Sequence, residues 1–326
     1  MTVPLTQSGS TPASSDKTKK APGIDAGYIW FDGELVPAAE AKVSVLTHAL
    51  HYGTSVFEGI RAYKTARGAA VFRLQEHAER LLDSAKILGM PQTLSAAEVG
   101  EAILETVRKN DRDACYIRPL LWYGPESLGI NPTGNDVHFM VATMPWGSYL
   151  GEEAVRGGAR LVTSSWRRSP GDVLPTKAKA GGNYINSVLA NQEARESGFD
   201  EALLLDKEGF VAEGAGENIF FLKGGTLYPI AHSVNLRGIT RDTVVKIAEW
   251  LGMTVTPTMA TRDELYIADE MFMVGTAAEV TPVSSLDRRP IGNGKAGEFS
   301  LKLRETYLKV VSGEVPEFEH WLSYVK

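Results

Sequence analysis

Strand-like runs and amphipathic helices alternate along this chain in two blocks, which limits the fold to packed layers of mixed α and β structure. The first block opens with Tyr28-Ile29-Trp30-Phe31 and Glu34-Leu35-Val36 on either side of Asp32-Gly33, a pair suited to the positive φ angles of a two-residue hairpin turn. Leu74, Ala78, Leu81, Leu82, Ala85 and Leu88 follow helical spacing, and Gly89 with Pro91 supplies the stop. Ser95-Ala96-Ala97-Glu98 has the pattern of a capping box and starts a second helix, with Val99, Ala102, Ile103 and Val107 on its apolar face. The β-rich runs Ala114 to Tyr123 and Val137 to Met144 close the block.

Pro145 to Gly158 reads as an interdomain link. Beyond it come a strand over Arg160 to Ser164, a Pro/Gly-rich loop through Pro175 and a helix from Tyr184 to Glu196. Short strands are predicted at Glu201 to Asp206, Ile219 to Leu222 and Glu270 to Val274, and helices at Thr240 to Leu251, ended by Gly252, and Phe299 to Val311. The expected division is a disordered tail over 1–26, a small N-terminal α/β lobe over 27–146, a link over 147–158 and a large C-terminal lobe over 159–326. The tail is expected because Ser, Thr, Pro, Lys and Gly bury too little apolar surface to offset the entropy of ordering.

At 326 residues, 43% of them apolar, the chain can bury a core large enough to enclose a pocket. Forty acidic and 34 basic residues leave a net charge of -6, with no basic footprint for a phosphate backbone, which argues against nucleic acid as a partner. The lone Cys115 excludes an internal disulfide and a multi-cysteine metal site, and suits a reducing cytoplasm. No apolar run approaches the roughly 20 residues that span a bilayer, and no secretory signal is expected. His48 and His51 stand one turn apart without an accompanying carboxylate, so ordinary packing is the simpler reading than zinc. Gly214-Ala215-Gly216 lacks the third glycine of a dinucleotide fingerprint, and the phosphate-loop and nucleophile-elbow patterns are missing.

The segment Ala178-Lys179-Ala180-Gly181-Gly182-Asn183-Tyr184 surrounds an amine with small residues. Such an amine can be desolvated and attack a carbonyl to form a Schiff base. Taken alone, a solvated lysine in a flexible glycine loop is the simpler reading, and Lys177 shows how common lysine is here. Its company reverses that. Glu213 precedes a glycine turn ending at Asn218, Gly238-Ile239-Thr240-Arg241 opens a helix, and Gly275-Thr276-Ala277-Ala278-Glu279 follows a strand. Together they offer an imine-forming amine, a carboxylate for a pyridinium nitrogen, and a helix N-terminus with hydroxyls for a phosphate, which are the needs of pyridoxal 5'-phosphate.

From about Tyr28 onward the chain closely resembles the bacterial branched-chain amino-acid aminotransferases of the fold type IV pyridoxal-phosphate enzymes. The resemblance rests on His48 to Arg61, Tyr116-Ile117-Arg118-Pro119, Ala178 to Tyr184, Glu213 to Asn218, Gly238 to Arg241 and Gly275 to Glu279. It implies a small two-layer α/β sandwich lobe and a larger barrel-like lobe, with the site between them.

The resemblance also implies that Lys179 carries the imine and then shuttles the substrate proton. Glu213 faces the pyridine nitrogen, Tyr184 the ring hydroxyl, and Arg80, Ile239, Thr240 and Thr276 the phosphate. Phe57, Trp146, Tyr149 and Tyr184 make an apolar pocket, which Tyr52 and Ile130 enter from a second subunit. Tyr116 with the Thr276 and Ala277 amides takes the α-carboxylate, and Arg118 the distal carboxylate of glutamate. Each aromatic could equally be plain core. The expected partners are branched-chain L-amino acids, glutamate and their 2-oxo acids, with a homodimer or higher oligomer as the assembly. Related reactions on D-amino acids, (R)-amines or aminodeoxychorismate, and a non-catalytic cofactor binder, are the rival readings.

Overall fold

A computed structural model describes residues 25–91, 93–147, 151–231 and 233–326. Most of the expected tail, and Tyr149, therefore lie outside the described residues. In the first block the hairpin forms from β1 (Tyr28–Phe31) and β2 (Glu34–Pro37), with Asp32 at φ 48° and Gly33 at φ 105° in its turn. A short helix α1 (His48–Tyr52) and three strands follow: β3 (Ser55–Phe57), β4 (Ile60–Thr65) and β5 (Gly68–Phe72). Then come α2 (Leu74–Ile87), α3 (Ala96–Lys109), β6 (Cys115–Tyr123) and β7 (Val137–Met144). The Ser95 capping box is present: its hydroxyl accepts from Glu98 N at 3.3 Å, and its own N–H donates to Glu98 Oε2 at 2.7 Å. The apolar stripes of α2 and α3 place Leu81, Ala85, Val99 and Ile103 in one core with Ile60, Ile117, Leu121 and Val141 of the sheet.

The stretch read as a link contains the helix α4 (Glu152–Gly157). β8 (Ala159–Arg167) leads through the loop to α5 (Tyr184–Glu196), β9 (Glu201–Leu205) and β10 (Val211–Gly214). After these come β11 (Asn218–Lys223), β12 (Thr226–Pro229), α6 (Ile239–Trp250), β13 (Thr254–Val255) and α7 (Arg262–Tyr266). The chain ends with β14 (Glu270–Gly275), β15 (Glu279–Leu286), β16 (Arg289–Pro290), α8 (Glu298–Val311) and β17 (Leu322–Tyr324).

The strands form two sheets. One is ordered β17-β5-β4-β6-β7-β1-β2 with β3 on β6, antiparallel throughout; the other is ordered β10-β9-β8-β15-β14-β11-β12-β13 with β16 on β15. The second sheet curls toward a barrel: Phe210, just ahead of β10, bridges Thr261, and Val211 N donates to Ala260 O at 2.8 Å. Alternation along β11 sends Ile219 and Phe221 to an inner core with Leu161, Leu203 and Met273, and Phe220 to an outer one under α6 and α8. Pro282 argues against β15 in the sequence. It is tolerated because pairing with β8 begins only at Val283. The last strand, β17, returns to the first sheet, where Leu322, Ser323 and Tyr324 pair with β5.

Candidate active site

Lys179 sits where the two sheets meet. Phe57 N donates to Lys179 O, and Lys179 N donates to Ser84 Oγ, both at 3.0 Å, while Ala180 bridges Val56. The lysine backbone of the second lobe is thus pinned to β3 and α2 of the first. The approach is close next door, where a Cβ on Gly181 would push Ser55 Oγ aside. The amine donates to Tyr184 OH at 2.5 Å and lies 5.0 Å from the Phe57 ring centre. Lys177 points elsewhere, donating to Asn235 O at 2.5 Å; burial and the nearby Arg237 push its pKa down.

Glu213 is buried at a bulge of β10. Its Oε2 accepts from Leu236 N at 3.2 Å and Asn218 Nδ2 at 3.3 Å, which ties it to the loop that leads into α6. Its Oε1 lies 2.6 Å from Arg168 Nη2, but no group meets hydrogen-bond geometry to that buried oxygen. Arg168 is anchored in turn on Ser187 Oγ at 3.1 Å. At the start of α6, Gly238 has no side chain to cap the first turn around Ile239 and Thr240, so its N–H groups remain available to an anion. Thr276 and Ala277 lie in the β14–β15 turn, closed by the pairing of Gly275 with Glu279.

From the first lobe, Arg80 on α2 reaches across to donate to Arg237 O at 2.8 Å, one residue before Gly238. Tyr116 and Arg118, alternate residues of β6, share one face of the sheet, and Arg118 Nη2 donates to Tyr116 OH at 3.0 Å. A Cβ on Gly59 would collide with that hydroxyl, so a larger residue there would displace Tyr116. Trp146 stacks on Tyr116 with ring centres 4.5 Å apart, the Arg118 guanidinium lies 4.6 Å from the Phe57 ring centre, and Phe57 meets Tyr184 edge-on at 4.8 Å. Arg118 Nε is buried without a hydrogen-bond partner among the described residues. Lys179, Tyr184, Phe57, Arg118, Tyr116 and Trp146 therefore form one continuous contact chain.

Tyr52 and Ile130 do not join it. They are 47% and 83% exposed, and the Tyr52 hydroxyl donates to Leu128 O at 3.0 Å. His48 bonds Thr54 Oγ1 and Gly129 O, and His51 bonds Val45 O, which are ordinary hydrogen-bonding roles. Sequence reasoning missed Arg168, which lies in a Pro/Gly-rich loop without a pattern. It also missed Glu58 and Ser84, although Glu58 falls inside the motif from His48 to Arg61. The residues fit pyridoxal 5'-phosphate: Glu213 is a buried carboxylate with one oxygen outside hydrogen-bond geometry, the start of α6 has no side-chain cap and follows the Arg237 carbonyl that Arg80 reaches, and the Lys179 amine is held by the Tyr184 hydroxyl.

The family of class IV amino-transferases matches residues 55–286. A Pseudomonas aeruginosa branched-chain-amino-acid aminotransferase is 48% identical over 300 residues, spanning 92% of this chain and 98% of the relative. An Escherichia coli branched-chain amino acid aminotransferase of known structure is 46% identical, with a TM-score of 0.90, and covers 92% of this chain and 100% of its own. Three crystal structures of the branched-chain amino acid aminotransferase from T.th. are 58% to 61% identical, with TM-scores of 0.90 to 0.91, and cover 93% of this chain and 100% of theirs. They contain pyridoxamine 5'-phosphate, N-(5'-phosphopyridoxyl)-L-glutamate or 4-methylvaleric acid.

Proposed function

This chain belongs to the class IV amino-transferases, and on that premise we infer that it is a pyridoxal-phosphate-dependent branched-chain amino-acid aminotransferase. It moves the amino group of L-leucine, L-isoleucine or L-valine to 2-oxoglutarate, reversibly and by ping-pong exchange. One observation carries the substrate reading: the Phe57 ring adjoins both the Lys179 amine and the Arg118 guanidinium, and Tyr184 adjoins that ring and the amine. An apolar side chain packs on the rings, and an acidic one turns to the cation, so a single site serves both half-reactions.

When bound, the cofactor supplies a conjugated ring that withdraws electrons from the substrate Cα. The protein supplies the rest. The Lys179 amine, held by Tyr184, moves the proton at the substrate Cα. Glu213 would face the ring nitrogen, and Arg80 with the Ile239 and Thr240 amides and Thr276 would hold the phosphate. Tyr116 and the Thr276 and Ala277 amides orient the α-carboxylate, and Trp146 excludes water beside Tyr116.

The reading includes a homodimer in the cytoplasm, with the buried, unpaired Cys115 suited to that compartment. Support for the dimer comes from Val43, Val45, Leu46, Leu50, Leu128 and Ile130, all exposed on neighbouring segments. Tyr52 and Ile130, on the same segments, would enter the second subunit's pocket. The test is the absorbance of the purified protein before and after L-leucine, followed by rates with L-leucine, D-alanine and (R)-1-phenylethylamine. A shift of the cofactor band and turnover with L-leucine support the reading. Turnover only with D-alanine or the amine overturns the specificity, and bound cofactor without amino transfer overturns the activity.

A further inference from the structure

Arg80 is held before any phosphate arrives. Glu58 lies in the short connection after β3, fully buried, and its carboxylate forks the guanidinium: Oε1 accepts from Nε at 2.7 Å and Oε2 from Nη2 at 2.8 Å. His77 Nδ1 adds a third bond to Oε2 at 2.7 Å, with the ring's proton assigned to that nitrogen by its carboxylate partner. A guanidinium has five N–H bonds. Glu58 takes two and Arg237 O a third, which leaves one N–H on each Nη. Those two can donate to oxygens of a phosphate.

The same carboxylate closes a circuit. Phe57, covalently next to Glu58, donates to Lys179 O; Lys179 N donates to Ser84 Oγ; and Ser84 Oγ donates to Arg80 O at 2.8 Å. Arg80 then returns to Glu58. The Lys179 backbone and the Arg80 guanidinium are thereby held in one loop, and Ser84 and Glu58 are both fully buried.

We propose that Glu58 is a positioning residue that holds Arg80 in register with Lys179, so that the two anchors of the cofactor are spaced for it in advance. This rests on Arg80 gripping the phosphate, as inferred above. A carboxylate beside a guanidinium could instead merely neutralise it, and the two roles have opposite signs. Positioning predicts weaker phosphate binding when Glu58 is altered, and neutralisation predicts stronger binding.

The test titrates the full-length apo protein with pyridoxal 5'-phosphate and, separately, with pyridoxal, which lacks the phosphate. Glu58→Gln should raise the dissociation constant for the phosphorylated compound at least tenfold and that for pyridoxal less than twofold. Glu58→Asp keeps the charge, and hence the folded state if Glu58→Gln fails to fold, but withdraws the carboxylate by one methylene; it should show the same selective loss. Unchanged or tighter phosphate binding, equal losses for both compounds, or wild-type behaviour of Glu58→Asp would each overturn the proposal. Arg80→Gln separates the two readings. If it causes no phosphate-selective loss, the role of Arg80 itself fails; if it does while the Glu58 variants do not, only the positioning role fails.

Discussion

Around Lys179, the rings of Phe57, Tyr116, Trp146 and Tyr184 each meet another ring or a cation of the same chain, whereas along Val43 to Tyr52 and Leu128 to Ile130 large apolar side chains face solvent. The outer region is built on the first lobe alone, and the inner one on both lobes. The outer one is no less ordered: Tyr52, His48 and His51 tie its segments together through hydrogen bonds. What it lacks is cover. Burying one such side chain is worth about 1.5 to 3 kcal/mol, so this rim is the surface that the proposed homodimer would cover. In the proposed dimer, one chain encloses the reacting groups and its neighbour would complete the outer wall.

That contrast breaks most sharply at the amine. Lys179→Ala should lower turnover at least about a thousandfold, since acid–base groups contribute roughly a hundredfold to ten-thousandfold. Borohydride reduction of the wild type should label Lys179 in peptide maps, and a label on Lys177 would move the chemistry out of the cluster.

The next largest effect separates the two substrates within the cluster. In single-turnover experiments Arg118→Ala should weaken the response to glutamate at least about tenfold more than that to leucine, matching the ~1.5 to 3 kcal/mol of a charged hydrogen bond. Equal losses would assign Arg118 to the shared α-carboxylate.

On the outer region, Ile130→Asp should weaken self-association by about 1 kcal/mol or more, roughly fivefold in the dimer dissociation constant, while the melting temperature of the protomer stays put. Sedimentation equilibrium measures this, and an unchanged dimer would place the rim away from the subunit contact.

The smallest effect is a pH dependence to which the inner region contributes through His77 and Glu58. Burial lowers the His77 pKa from its ordinary 6.5, and the charges of Arg80 and His77 overcome the opposing effect of burial to hold Glu58 well below its ordinary 4.5. Both groups have depressed folded values, so their stabilisation is complete above the unfolded values and is lost as pH falls. The melting temperature of the apo protein should decline as pH drops below 6.5 and more steeply below 4.5. Glu58→Gln should flatten the lower limb, and Ile130→Asp should leave the whole profile unaltered. A wild-type profile with no decline below 6.5 would contradict the His77 part.

Much of the helical framework was legible because its signals are local. The stripe from Leu74 to Ala85, the Ser95 box and the Gly252 stop each involve residues within a turn or two, and the helices appear within a residue or two of where spacing places them. Strands were legible where a run was long or a turn was marked, as at Asp32-Gly33. β4, β5 and β17 passed unnoticed, since three to six residues of mixed character become strands only through partners far away in sequence. In the candidate site, the glycines and small residues beside Lys179 signalled an amine that can be desolvated, whereas the close approach of the Ser55 side chain to Gly181 shows only in the fold. Arg168 and Ser84 gave no signal, because a lone arginine or serine has no local pattern.

The sequence by itself determined the chemistry available: an amine among small residues, a carboxylate ahead of a glycine turn, a helix start without a capping side chain, and alternating Tyr116 and Arg118 on one strand face. Those depend on residue type and on the fixed periods of helix and strand. Only the tertiary structure decided which groups share an atom's reach. Lys179 rather than Lys177 meets Tyr184, Glu213 is shared by Asn218 and Arg168, and Glu58 locks Arg80 from 22 residues away. Those pairings follow from how two curved sheets bury their faces against common helices, a global packing condition that no short stretch of chain encodes.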